Sequence, residues 1–138
     1  MKVFFDTNVI ISAFITHGHA SEVFEHCLST HKCYTSDFVL AELKKKLMKK
    51  FEYSDIETRN ALDFIRENLI IIKEYRKIAS SVCRDPDDDN ILAAAASIKA
   101  DCIMTGDKNL KVLKNYKGIN IVSPKNFWAL EKIFMKLN

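Results

Sequence analysis

Residues 2–11 read KVFFDTNVII. Val3 to Phe5 is a short apolar, aromatic-rich run of the kind that forms a buried strand. Asp6 falls where that strand would end, at the edge of a core, and Thr7 and Asn8 follow at once. An acid in that place is a turn residue, a phosphate acceptor or a metal ligand, and alone it reads as a turn.

Working outward, strand-like runs recur at Lys32 to Thr35, Leu69 to Lys73, Asp101 to Met104 and Ile119 to Val122. Helical patterns fill the gaps. In Ala20 to Ser29, Val23, Phe24, Cys27 and Leu28 share one face. Ser36 or Asp37 caps a helix reaching about Phe51, with Val39, Leu40, Leu43 and Leu47 inward. Ser54 with Glu57 forms a capping box, followed by Ile56, Ala61, Leu62 and Ile65. The stretch 87-DDDNILAAAASIKA-100 is alanine-rich and acidic at its start, as a helix N-terminus prefers. Ser123-Pro124 opens the last helix. Strands alternating with helices predict a three-layer α/β/α domain with a central, mainly parallel sheet of four to five strands.

The chain of 138 residues is read as one domain, 1–138, with 48% hydrophobic and 28% charged residues. No run approaches the roughly 20 apolar residues of a membrane helix, and Asp6 and Asn8 interrupt any export-signal pattern. Cys27, Cys33, Cys83 and Cys102 lack metal-ligand spacing and are expected as reduced, buried thiols in a cytoplasm. The net charge of +3 and pI of about 8.6 permit a nucleic-acid partner without establishing one. The only glycines, Gly18, Gly106 and Gly118, cannot write GxGxxG or GxxxxGK[ST], which excludes those two modes of nucleotide binding.

Ligands of parallel α/β sheets bind outside the carboxyl ends of the strands. Asp6 ends the first strand there, Asp107 follows the fourth, and the acids of 84-RDPDDDN-90 open the helix just before it. Glu42 projects among Val39, Leu40 and Leu43, on or near an apolar face, where a lone carboxylate is costly. Each acid has a plain alternative: a turn at Asp6, an ion pair from Glu42 to Lys45 or Lys46, a helix start at DPDDD, a turn at Asp107. Their convergence favours a divalent cation, since carboxylates crowded with few cations nearby repel one another unless an ion fills the gap. An all-oxygen set selects Mg²⁺ or Mn²⁺, which can activate water for attack on a phosphodiester. His17, His19, His26 and His31 fit poorly as catalysts, and nothing points to a Ser-His-Asp or Cys-His enzyme.

The motifs FFDTNVIISAF, LAELKKKL, CRDPDDDNILAAAASIKADCIMTGDKNL and GINIVSPKNFW together resemble the PIN-domain nucleases, from residue 2 to about 128. The resemblance is closest to the small prokaryotic branch regarded as toxin components of toxin–antitoxin pairs (VapC-like). It implies a cytoplasmic Mg²⁺- or Mn²⁺-dependent endoribonuclease with a cognate antitoxin and a homodimer as partners. Carried over by position, Asp6, Glu42 and Asp107 are catalytic, metal-holding acids. The third acid is Asp88 or Asp89, because adjacent helical positions differ by about 100° and the first turn is irregular. Asp87 is then a cap or an outer acid, and Thr7, Asn8 and Thr105 orient carboxylates or water.

Lys44, Lys45, Lys46 and Lys49, with Lys108 and Lys111 near Asp107, could guide an RNA backbone, although charge runs are usually solvated helix faces. Two alternatives stand beside the toxin reading: a non-toxin RNA-processing enzyme, or a catalytically silent PIN-fold binding module. A haloacid-dehalogenase-like phosphatase also places Asp after its first strand. It needs a second Asp two residues on as general acid, and that position is Asn8.

Overall fold

The strand patterns resolve into one six-stranded sheet in a computed structural model that describes residues 1–18, 20–78 and 80–137. The elements follow in the order β1 (Lys2–Phe5), α1 (Thr7–Ile10), α2 (Ala20–Thr30), β2 (Lys32–Ser36), α3 (Asp37–Lys49), α4 (Asp55–Asn68), β3 (Ile70–Ile72), α5 (Pro86–Ser97), β4 (Cys102–Met104), α6 (Lys108–Lys111), β5 (Asn115–Tyr116), β6 (Ile119–Val122) and α7 (Pro124–Leu137). The sheet order is β3-β2-β1-β4-β6-β5. β1 runs parallel to both neighbours, with Val3 opposite Cys33 on one side and Cys102 on the other. Being central, it is apolar on both faces: Val3, Phe4 and Phe5 are fully buried. Phe5 meets Phe24 of α2 edge-on, with ring centroids 5.1 Å apart, while Phe4 points into the opposite layer.

The expected four to five strands become six, and the sixth is antiparallel. β5 pairs with β6 through Tyr116 opposite Ile119, joined by a two-residue turn. Lys117 (φ 50°) and Gly118 (φ 85°) both take positive φ, as a tight hairpin whose twist matches its strands requires. A two-residue strand carries no periodic signal, so the hairpin is not legible from hydrophobic pattern.

Capping chemistry sets the helix starts. Ser36, not Asp37, caps α3 by accepting a hydrogen bond from Val39 N at 3.2 Å. Ser54 and Glu57 complete the capping box of α4. At α5 the cap is Asp85, not Asp87. Proline is pre-organised for the first helical position, so Pro86 hands the cap to its predecessor, whose Oδ1 accepts from Asp87 N at 2.9 Å. α1 continues into a π-helical turn over Ile11–Ile15, a feature with no signature in the apolar run.

All four cysteines are buried and unbridged. Among the described residues, no helix is long and apolar enough to cross a membrane. His19 lies outside the described residues.

Candidate active site

The chain builds β2 and β3 on one side of β1 and β4 and β6 on the other, so strand order reverses between β1 and β4. At such a reversal the following helices diverge and leave a crevice at the carboxyl ends of the strands. Asp6 directly follows β1 and Thr105 directly follows β4. The Thr105 hydroxyl donates to Asp6 Oδ2 at 2.7 Å and accepts from Asp107 N at 3.0 Å, so one fully buried side chain holds both acids in register.

Asp6 caps α1, its Oδ1 accepting from Thr7 N at 2.7 Å. It is buried, and burial raises its pKa above the usual carboxylate value, with the Asp107 charge adding to the rise against the Thr105 and Thr7 hydrogen bonds. The Thr7 hydroxyl donates to Glu42 Oε1 at 3.1 Å, tying α1 to α3. Glu42 is half-buried, and its pKa is raised, first by burial and then by the Asp6 and Asp87 charges. Asp107 caps α6, accepting from Asn109 N at 2.8 Å.

The adjacent acids Asp88 and Asp89 part ways. Asp88 is buried with its Oδ2 unpartnered. Burial, then the charges of Asp107, Asp85 and Asp6, push its pKa up to about 7. Asp89 turns to the preceding loop. Its Oδ1 accepts from Val82 N at 3.2 Å and Cys83 N at 2.7 Å, and its Oδ2 from the Ser81 hydroxyl at 3.2 Å. Burial acts upward on Asp89, but the amides of Cys83 and Val82 and the Ser81 hydroxyl outweigh it and hold the pKa low.

Asp6, Glu42, Asp85, Asp87, Asp88 and Asp107 line one pocket of about 170 Å³, with Thr7, Asn8, Lys46 and the apolar Ile91; Asp89 is not on its wall. A larger hollow of about 580 Å³ beside α3 and α4 mixes Leu40, Leu62 and Ile71 with Asp37, Lys44, Arg66 and Lys73, so its single acid already faces three cations. The acidic pocket is where uncompensated negative charge accumulates. Asp85, a wall residue absent from the sequence-based set, was signalled by Pro86, since a first-turn proline marks the residue before it as a polar cap.

The donor chemistry fits a hard divalent cation. A buried carboxylate oxygen without a partner is costly, and a cation relieves it. Among the described residues, no three of these carboxylates bring oxygens within 4.8 Å of one another. Mg²⁺ needs only one or two carboxylates as direct ligands, because it keeps several waters in its own shell.

The lysine run divides by helical phase. Lys46, one turn after Glu42, reaches the pocket, where Nζ donates to Asn8 Oδ1 at 3.1 Å. Lys45 borders an adjoining hollow with Phe38 and Asp87, and Lys44 turns toward α4. Lys49 and Lys108 are exposed, Lys111 is half-buried, and none of the three lines the pocket.

A family model described as a PIN domain matches residues 2–109. No curated protein matches the chain significantly. Among solved structures, the fold is similar to VapBC2 from Rickettsia felis, bound to a DNA fragment from the promoter, at 19% identity and a TM-score of 0.64, covering 88% of this chain and 97% of that one. VapBC-1 from nontypeable Haemophilus influenzae gives 17% identity and a TM-score of 0.64 over 91% and 99% of the two chains. FitAcB from Neisseria gonorrhoeae gives 14% identity and 0.58 over 89% and 98%.

Proposed function

This chain belongs to the PIN-domain family, and from that premise we propose that it is a Mg²⁺- or Mn²⁺-dependent endoribonuclease. It acts as a single domain in the cytoplasm, as the toxin component of a toxin–antitoxin pair. The observation that carries the reading is the buried, unpartnered Asp88 Oδ2, facing Asp6 and Asp107 across the crevice where strand order reverses. The VapBC likeness supports the toxin assignment and a protein antitoxin as partner, and the family resemblance adds a homodimer.

Asp6, Glu42, Asp88 and Asp107 would hold the cation, and Asp85 and Asp87 line the same pocket. When bound, the ion supplies Lewis-acid polarisation of the phosphodiester and lowers the pKa of an attacking water. The chain's own groups prepare that chemistry. Thr105 and Thr7 fix both oxygens of Asp6, so that its lone pairs are presented in one geometry. Thr7 also sets the rotamer of Glu42. Lys46 offers a cation at the rim where a phosphate enters, held by Asn8. The raised pKa of Asp88 makes it a proton acceptor near neutral pH when no cation is present. Hydrolysis through water leaves a 5′-phosphate and needs no side-chain nucleophile. Asn8 offers an amide, which cannot act as the general acid a dehalogenase-like phosphatase places there.

The test is cleavage of single-stranded RNA by the wild type and Asp6→Asn, with Mg²⁺, with Mn²⁺ and with chelator. The wild type cuts only with metal, and the variant, folded by circular dichroism, loses at least a hundredfold in rate. Equal cleavage by both proteins overturns the proposal. Binding of RNA without turnover in the wild type leaves the silent binding module in its place.

A further inference from the structure

At the opposite, amino-terminal edge of the sheet, three side chains from distant parts of the chain converge. His26 lies on α2, His31 directly precedes β2, and Glu131 lies on α7. His26 Nε2 and His31 Nε2 stand 2.6 and 2.5 Å from the same oxygen, Glu131 Oε2, and the three ligand atoms all lie within 4.8 Å of one another. Both contacts are shorter than the roughly 2.7–2.9 Å of a charge-assisted N–H···O bond, so two imidazole nitrogens are crowded onto one carboxylate oxygen. The surroundings are aromatic. The His26 ring lies 4.8 Å from Trp128, and the His31 ring 5.8 Å from Phe127, between centroids. His31 is nearly inaccessible at 3% exposure, while His26, at 32%, opens the cluster to solvent.

We propose that His26, His31 and Glu131 form a second metal site, for a borderline transition ion of the Zn²⁺ class, that clamps α7 against α2 and the start of β2. Two imidazole nitrogens and one carboxylate oxygen are a donor set that zinc accepts and that Mg²⁺ does not favour. Tetrahedral bonds to zinc of roughly 2.0–2.2 Å require the ligand atoms to open to about 3.3–3.6 Å apart, a shift within side-chain reach. The fourth position faces solvent past His26 and is left to water. Loading releases to solvent the proton of any Nε2 that carries one, because the metal takes the nitrogen lone pair. α7 is the element with most to gain, because Ile133, Met135 and Leu137 are exposed beyond Glu131 and leave its end lightly packed. The site shares no residue with the acidic pocket.

Trp128 is the chain's only tryptophan and packs at a tilt against His26, which gives a local reporter. Untagged, chelator-stripped protein is titrated with Co²⁺ and with Zn²⁺, following Trp128 fluorescence, bound metal by equilibrium dialysis, and Tm. The wild type binds one Zn²⁺ per chain with a rise in Tm, and Co²⁺ quenches Trp128. His26→Gln and Glu131→Gln weaken zinc binding at least tenfold and abolish the quenching, yet fold and keep Mg²⁺-dependent RNA cleavage. Asp88→Asn leaves zinc binding unchanged. Zinc binding that is absent from the wild type, unchanged from wild type in both cluster variants, or lost in Asp88→Asn overturns the site and leaves a hydrogen-bonded His–Glu–His triad.

Discussion

Asp88→Asn removes a charge that the folded, metal-free protein holds unfavourably. The carboxyl rises from 3.8 to about 7 because burial comes first and the charges of Asp107, Asp85 and Asp6 add to it. At roughly 1.4 kcal/mol per pH unit, that rise is a preference for the protonated form on the order of 4 kcal/mol. A carboxyl whose folded pKa lies above its unfolded value binds more proton when folded, so stability falls as pH climbs between the two. The wild type in chelator therefore loses stability from about pH 4 to pH 7 and levels off above, once Asp88 is ionised in both states. Asparagine imitates the protonated acid and avoids the loss. The variant is nearly isostable near pH 4 and gains about 2–4 kcal/mol at pH 8, where neighbouring acids share part of the relief. For a chain of this length, roughly 3 °C per kcal/mol gives a Tm higher by about 6–12 °C. Thermal unfolding in chelator from pH 4 to pH 8.5 measures it. Mg²⁺ then stabilises the wild type and not the variant, and RNA cleavage is lost in the variant. A Tm difference that does not grow with pH, or a variant less stable at pH 8, would refute the account of Asp88.

Thr105→Val keeps the buried shape but removes the hydroxyl shared by Asp6 and the Asp107 amide; cleavage is expected to fall about 10–100-fold with a loss of about 1–2 kcal/mol in urea unfolding. Asp89→Asn weakens the tether to the amides of Val82 and Cys83 and costs about 1 kcal/mol, while cleavage stays within a few-fold of wild type. Because the Asp89 pKa is held low, that stabilisation is present above about pH 4 and fades as pH falls below it. Lys46→Met is expected to weaken RNA binding and reduce the slope of log affinity against log salt by about one, while Lys49→Met leaves both unchanged.

Much of this architecture is legible from local pattern. The alternation of strand and helix, the caps at Ser36 and Ser54 and the position of Asp6 at a strand end each depend on residues within a turn of one another. Separating Asp88 from Asp89 does not, because the decision rests on where the loop Ser81 to Cys83 presents its amides to α5. The β5–β6 hairpin escaped for want of length, not of chemistry, since Gly118 marks its turn. The His26–His31–Glu131 cluster joins residues about a hundred positions apart, and only the docking of α7 beside α2 brings them together.

The proposal that the crevice between β1 and β4 holds the catalytic cation is tested most directly by anomalous diffraction from Mn²⁺-soaked crystals. The account places a manganese peak within about 2–2.5 Å of an oxygen of Asp88, with Asp6 and Asp107 bound directly or through water and Asp89 still on its loop. A crevice without a peak, or a peak on Asp89 with Asp88 turned away, would contradict it.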